Sequence, residues 1–212
     1  MKSFRICLAV LLLSVAAGAS AQALVKFMRA VNEGDAKIVA ELLYQGMDPD
    51  TADAEGNTAL MIASRLGHKD LVVVLIGRKA QVGRRSAHGD TAVNFAALNG
   101  HLEIVRLLVE NGAEVNPAEG WSPLHYAAFE NRSDIIKYLI IKGAHKDALA
   151  PNGYTALMLA ARGGHVAAAT ALLYEDADLG IKGPAGETAL SIATEKRQEE
   201  LIKLLRRAGA AS

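Results

Sequence analysis

Apolar residues recur at helical spacing along most of this chain, in short segments that return at a fixed interval. The segment 56–63 reads Gly-Asn-Thr-Ala-Leu-Met-Ile-Ala, and closely similar segments begin at Gly89, Gly120, Gly153 and Gly186. Successive segments start 33 residues apart, except that the one at Gly120 follows its predecessor after 31. Self-similarity at such a period indicates a repeat architecture, so we expect each copy to fold as one small supersecondary unit.

Each copy continues with a second apolar segment, which Gly-His introduces at Gly67, Gly100 and Gly164. The apolar positions predict two short helices per copy, and the glycine supplies the left-handed cap that ends the first helix. Turn residues follow the second helix, as in 112–116 and 143–147, and lead into an extended hairpin. The predicted unit is therefore helix, turn, helix and hairpin.

This unit resembles the ankyrin repeat, whose pattern reads G-x-T-P-L-H-x-A-A-x-x-G-H, an apolar second helix and then G-A-D-V-N. The resemblance implies an all-α fold, an ankyrin-repeat solenoid of about six helix-turn-helix units joined by hairpin loops, within a domain at 22–212. The units lie near 24–50, 56–83, 89–116, 120–147, 153–180 and 186–210. One leucine recurs at the equivalent second-helix position of the six units: Leu42, Leu75, Leu108, Leu139, Leu172 and Leu205. The first unit is expected to lack the hairpin and the Thr-Pro-Leu-His-like start, as a terminal cap can.

Three residues depart from the pattern at positions where the family has glycine. Asn131 replaces the glycine between the two helices of the fourth unit, and asparagine tolerates the left-handed conformation better than most residues. Lys79 and Asp176 stand where glycine usually ends the second helix. Each should cost about 1 kcal/mol if the backbone stays left-handed, and the alternative is a remodelled junction.

The first residues have the order of a signal peptide. Lys2 and Arg5 precede an apolar run at 6–17, and small residues follow at 18–21. The run is shorter than the roughly 20 residues of a membrane-spanning helix, so a permanent anchor is the weaker interpretation. Cleavage after position 21, or alternatively after 19, would remove Cys7 and leave a mature chain without cysteine. We therefore expect a signal peptide at 1–21 and a periplasmic protein, with release outside the cell as the alternative.

Composition argues against several classes of function. Lys and Arg number 23, as do Asp and Glu, so no net charge draws the chain to nucleic acid. A single cysteine rules out a disulfide within the chain and a cysteine-based metal site. The sequence has no nucleophile elbow, phosphate-binding loop or His-Glu-x-x-His helix. We expect that the protein is not an enzyme and binds no cofactor, metal or nucleic acid. We also expect no membrane insertion after signal cleavage.

Four histidines fall at positions where the resemblance implies a structural role. His68, His101 and His165 lie in the Gly-His turn, and His125 lies in the Thr-Pro-Leu-His position. In the family these imidazoles bond to backbone groups. We therefore assign none of them to catalysis.

In ankyrin-repeat proteins the concave face, lined by hairpin tips and first helices, is the usual binding surface. The pattern predicts an exposed aromatic group of Trp121, Phe129 and Tyr154 near its centre, with a buried position of Phe129 or Tyr154 as the alternative. Aromatic residues with a charged rim are typical of binding hot spots. Further residues are expected on this face: Leu98, Arg162, Glu130, Asp90, Asn57 and Arg65. Phe95 and Tyr126 are expected to point into the core.

The resemblance thus favours a non-enzymatic protein-protein interaction module in the bacterial periplasm. Exported ankyrin-repeat proteins resemble either immunity proteins that inhibit a toxic envelope enzyme or accessory proteins that protect against stress. A structural or chaperone-like scaffold is one alternative. Binding of an anionic envelope polymer is another, and it would use the basic run of Arg78, Lys79, Arg84 and Arg85.

Overall fold

The computed structural model describes residues 21–210, so the predicted signal peptide lies almost wholly outside the described residues. In this range the chain forms twelve helices, and its regular β pairing is confined to one antiparallel bridge, between Ala52 and Thr58. The helix α1 runs through 21–33. The others are α2 Ala36–Tyr44, α3 Ala59–Leu66, α4 Lys69–Gly77, α5 Ala92–Asn99, α6 Leu102–Glu110, α7 Pro123–Phe129, α8 Ser133–Ile141, α9 Ala156–Gly163, α10 Val166–Tyr174, α11 Ala189–Glu195 and α12 Glu199–Arg207.

The helices pair into six units that stack in two layers. The first helices of successive units, from α3 through α11, pack against each other, and the second helices, from α2 through α12, do the same. Each first helix from α3 through α11 also packs on the second helix of its own unit. This confirms the predicted all-α solenoid of six units.

The core runs between the two layers without interruption. The six equivalent second-helix leucines, from Leu42 to Leu205, are all buried. Burial of one such side chain contributes about 1.5–3 kcal/mol. The array is therefore held by repeated burial of similar side chains, unit against unit.

Hydroxyl residues begin the first helices as the pattern predicts. The Thr58 Oγ1 and Thr155 Oγ1 atoms accept from the backbone N–H groups of Met61 and Met158. Such N-caps satisfy amide groups that have no partner within the helix. At the other end of α3, Gly67 has a φ of +81° and forms the predicted left-handed cap.

The unusual residues at glycine positions keep the left-handed backbone. The φ angles are +68° at Lys79, +57° at Asn131 and +57° at Asp176, so these junctions are not remodelled. A fourth such residue, Arg197 at +56°, was not predicted. The expectation that the first unit lacks a hairpin is wrong, because the bridge between Ala52 and Thr58 closes one directly after it.

Within residues 21–210, none of the helices combines the length and the apolar character that crossing a membrane requires.

Candidate functional site

The candidate site is formed by the fourth and fifth units, on the layer of first helices and hairpins. Ser122 caps α7 by accepting from the His125 N–H, and Pro123 begins the helix with its backbone angle already set. This fixed start holds Trp121 before the helix and Phe129 at its last turn, eight residues later. The two side chains converge beside α7.

Trp121 is the centre of the aromatic group. Its ring centroid is 5.9 Å from that of Phe129 in an edge-on arrangement and 5.3 Å from that of Tyr126. The His125 ring lies behind it at 6.1 Å. Phe129 is 45% exposed although it is a large apolar residue, so the prediction that it faces solvent is confirmed.

An open depression of about 690 Å³ begins at these two rings and extends across to α9. Its lining combines an apolar floor with polar and charged edges: Trp121, Phe129, Glu130, Asn152, Leu159, Arg162, Gly163 and His165. Four of the nine predicted partner-binding residues are thus brought together here. The repeat pattern did not predict Leu159 at this site, although Leu159 occupies the position in the fifth unit that Tyr126 holds in the fourth.

Two opposite charges border the depression. Glu130 lies at the end of α7, and Arg162 is exposed in the last turn of α9. Neither takes part in an ion pair within residues 21–210. Both charges can therefore pair with groups on a bound molecule without first breaking a contact.

Two histidines position this surface. The His165 Nε2 lies 2.8 Å from the Phe129 carbonyl oxygen, which ties the end of α7 to the fifth unit. The buried His125 accepts from the Ser122 N–H at Nδ1 and donates from Nε2 to the Ala148 carbonyl oxygen at 3.0 Å. Burial lowers the pKa of His125, while the bond to Ala148 opposes that effect. The predicted backbone-bonding role of these imidazoles is confirmed.

Tyr126 takes the place that the prediction gave to Tyr154. The Tyr126 ring contacts Trp121, and its hydroxyl donates to the Asp90 carboxylate at 2.5 Å. Burial and the bond to Asp90 raise the pKa of Tyr126 well above its usual value. Tyr126 is half-buried: it packs against the core, as expected, but its ring also contacts Trp121 at the site. Phe95 is also half-buried and packs against the core, and the Arg65 guanidinium lies 5.9 Å from its ring centroid.

Tyr154 lies one unit further on and packs partly against the core. The aromatic pairs of Trp121 within the described residues do not include it. Hydrogen bonding to Glu187 raises the pKa of Tyr154, and both side chains lie against Gly183. The prediction of one aromatic group with Tyr154 in it is therefore wrong.

Asn57 is not available to a partner, because it is only 5% exposed. Its side-chain amide donates to the Asp53 carboxylate at 3.0 Å and to the Glu55 carboxylate at 3.1 Å, so it serves to close the first hairpin. Leu98 is half-buried, and its carbonyl oxygen accepts from the Arg132 Nε of the next unit. Both residues stabilise the scaffold away from the depression.

The basic run divides into two parts. The Arg85 guanidinium donates to the carbonyl oxygens of Gly89 and Glu119, at 2.9 and 3.3 Å, and lies 3.9 Å from the Glu114 carboxylate. Arg78, Lys79 and Arg84 are exposed. Arg85 is thus part of the stacking between units.

Within residues 21–210 no group of three or more His, Cys, Asp or Glu residues is arranged to hold a metal ion.

Comparison with known sequences identifies relatives of the same repeat type. The family model described as "Ankyrin repeats (3 copies)" matches residues 27–118, 71–150 and 124–211. An ankyrin repeat-containing protein of Treponema pallidum (strain Nichols) is 36% identical over 99 residues, which are 46% of this chain and 33% of that protein. The serine/threonine-protein kinase 12 of Arabidopsis thaliana is 33% identical over 129 residues, which are 60% of this chain and 21% of the kinase.

The potassium channel AKT2/3 of Arabidopsis thaliana is 29% identical over 130 residues, which are 61% of this chain and 16% of the channel. The chain therefore spans a third or less of the length of these three relatives. Their similarity to it lies in the repeats.

Proposed function

We propose a function from the premise that this chain belongs to the ankyrin-repeat family, whose model matches most of its length. Ankyrin repeats indicate a protein-protein interaction module, and the repeat fold is generally a non-enzymatic scaffold. The partner surface we propose is the depression between α7 and α9. Its partner is a protein that places an apolar side chain in this depression, against Trp121 and Phe129.

One observation carries this proposal. Phe129 stays 45% exposed beside the only tryptophan of the chain, and two unpaired opposite charges border the pair. Exposure of a large aromatic ring to water is unfavourable, and binding removes that cost. Aromatic residues and arginine also carry a large share of the free energy in known protein interfaces.

We further propose that the protein acts in the periplasm of a Gram-negative bacterium, as an inhibitor or protective accessory protein of an exported enzyme. The order of basic, apolar and small residues at 1–21 supports export. The role of inhibitor rests on analogy with exported ankyrin-repeat proteins.

A binding experiment tests the surface. The chain, expressed from its full-length sequence, is used to capture proteins from periplasmic extract, beside the variants Phe129→Ser and Arg162→Glu. The matched control is Val73→Ser, because Val73 is 49% exposed on the opposite layer of helices. We expect the Phe129 variant to bind a stoichiometric partner at least tenfold more weakly, which corresponds to about 1.4 kcal/mol. An equal loss of partner binding in Val73→Ser, or no loss of binding in Phe129→Ser, would place the interface elsewhere.

A separate experiment tests export. Expression in a Gram-negative host is followed by cell fractionation and intact-mass measurement. We expect the protein in the periplasmic fraction with its mass reduced by residues 1–21 or 1–19. A full-length mass in the cytoplasmic fraction would contradict the proposed location without affecting the proposed binding surface.

A further inference from the structure

A second exposed apolar surface lies on the layer of second helices, away from the depression. Ile141 at the end of α8 is 76% exposed, and Tyr174 at the end of α10 is 82% exposed. They flank a groove of about 620 Å³, which is also lined by Lys137, Thr170 and Glu175. This groove separates two neighbouring units of the array.

The other units show that the solenoid does not need apolar residues here. Ile141 and Tyr174 stand at equivalent positions of successive units, at the last residue of the second helix. The same position holds Tyr44 in the first unit, Gly77 in the second, Glu110 in the third and Arg207 in the sixth, so only the fourth and fifth units place two exposed apolar residues side by side. The apolar pair therefore serves something other than packing within the chain, and a contact with another surface is the physical use of such a pair.

The charged residues at the groove indicate what kind of surface could bind there. The α8 side of the groove carries Lys137, and the α10 side carries Glu175, while α10 itself contains no charged residue. Neither residue takes part in an ion pair within the described part of the chain. The groove is thus positive on one side and negative on the other. A second copy of the chain, rotated by 180°, would present the opposite charge to each side.

We propose that this groove is the contact surface of a homodimer. A two-fold axis that runs along the groove exchanges α8 and α10, so Ile141 of one copy meets Tyr174 of the other. The same rotation brings Lys137 of each copy opposite Thr170 of the other, one turn before the Glu175 that follows α10. Such a reciprocal arrangement is the rule in two-fold dimers. Because the formal net charge of the chain is zero, no overall repulsion opposes the contact.

This dimer leaves the depression at Trp121 open on both copies, since the two surfaces belong to opposite layers of helices. One dimer could then hold two partner molecules. Dimer formation and binding of the partner protein are therefore independent of each other.

Sedimentation velocity from about 1 to 100 μM tests the proposal on the chain expressed from its full-length sequence. We expect a species of twice the monomer mass that dissociates on dilution. Tyr174→Ser should raise the dissociation constant at least tenfold. The matched control is Tyr44→Ser, because Tyr44 ends the second helix of the first unit and is 81% exposed. It should leave the dissociation constant unchanged.

A charge exchange tests the two-fold geometry. Lys137→Glu and Glu175→Lys should each weaken the dimer several-fold, and the double variant should restore it. A monomer throughout the concentration range would overturn the proposal, as would a dimer that Tyr174→Ser does not weaken. Monomers that instead sediment with anionic phospholipid vesicles, and lose this binding in Tyr174→Ser, would assign the groove to a membrane surface and also overturn it.

Discussion

At the scale of single residues, the left-handed positions show how much the chain departs from an ideal repeat. Lys79 and Asp176 hold φ angles of +68° and +57°, a region in which a side chain is strained and glycine is not. Within residues 21–210, neither side chain makes a hydrogen bond that would offset this strain. Their strain is therefore a cost that substitution can remove.

We expect Lys79→Gly and Asp176→Gly each to raise the free energy of unfolding, by up to about 1 kcal/mol, because glycine adopts this conformation without a Cβ clash. Denaturant unfolding followed by circular dichroism measures the change. The reverse control is Gly112→Lys, at a φ of +91° with no atom within 4 Å of the added Cβ. It should destabilise by a similar amount, and a neutral result in all three would contradict the strain argument.

His125 gives a second prediction at this scale, from the direction of its pKa. The folded chain holds this imidazole neutral with a lowered pKa, whereas in the unfolded chain it titrates near 6.5. As the pH falls below about 6.5 the unfolded state binds more protons, so stability decreases on acidification. The contribution of His125 is fully present above that pH and is lost as the pH falls through the folded pKa.

His125→Gln tests this by comparison with the unchanged protein between pH 7.5 and 5. We expect the difference in free energy of unfolding between the two proteins to narrow as the pH falls, because only the unchanged protein loses the contribution of this imidazole. The other histidines are present in both proteins and cancel. A difference that stays constant over this range would rule out the linkage.

At the scale of helices, one departure from the repeat pattern acts as a compensation. The Asn131 Oδ1 accepts from the Ala168 N–H at 3.0 Å, and Ala168 is in the first turn of α10. The residue that precedes α10, His165, provides no side-chain cap. Asn131 is therefore strained by its left-handed backbone, but it also caps the second helix of the next unit.

Three variants separate the two effects of Asn131. Asn131→Ala loses the cap and keeps the strain, so we expect it to destabilise by about 1–2 kcal/mol. Asn131→Gly loses the cap but relieves the strain. Its free energy of unfolding should therefore lie between those of the alanine variant and the unchanged protein. Asn131→Asp keeps the acceptor and adds a negative charge at a helix N-terminus, so it should be at least as stable as the unchanged protein. Chemical denaturation measures all three, and an alanine variant as stable as the glycine variant would contradict the order.

The repeat pattern could predict helices and core because the same residue types recur in each copy at positions with the same environment. It could not predict the partners of side chains that cross between units. Tyr126 bonds to Asp90, and His165 bonds to the Phe129 carbonyl, over separations of 36 residues. The error over Tyr154 has this origin: Trp121 and Tyr154 hold equal positions and are both half-buried, but the neighbouring hairpin supplies Glu187, and Tyr154 contacts it instead of the aromatic group.

At the scale of the whole molecule, neighbouring hairpins are linked by a repeated hydrogen bond that is missing between the second and third units. Carboxylate or amide oxygens of Asp50, Asn116 and Asp147 each accept from a backbone N–H of the following hairpin, at 2.8 Å. Gly83 occupies the equivalent position of the second unit and has no side chain to accept. The Arg85 contacts partly connect this junction instead.

Gly83→Asn should therefore stabilise the array, by about 0.5–1.5 kcal/mol, through a new bond to the Glu114 N–H. The substitution is tolerated, because an added Cβ at Gly83 meets no atom within 4 Å and its φ is not in the left-handed region. Gly83→Ala is the matched control, since it restricts the unfolded chain in a similar way but offers no acceptor. Only neighbouring units contact each other in a solenoid, so the gain should be seen as slower amide hydrogen exchange in the second and third units, with the sixth unchanged. Equal protection in the asparagine and alanine variants would show that the link between hairpins adds nothing to the cohesion of the array.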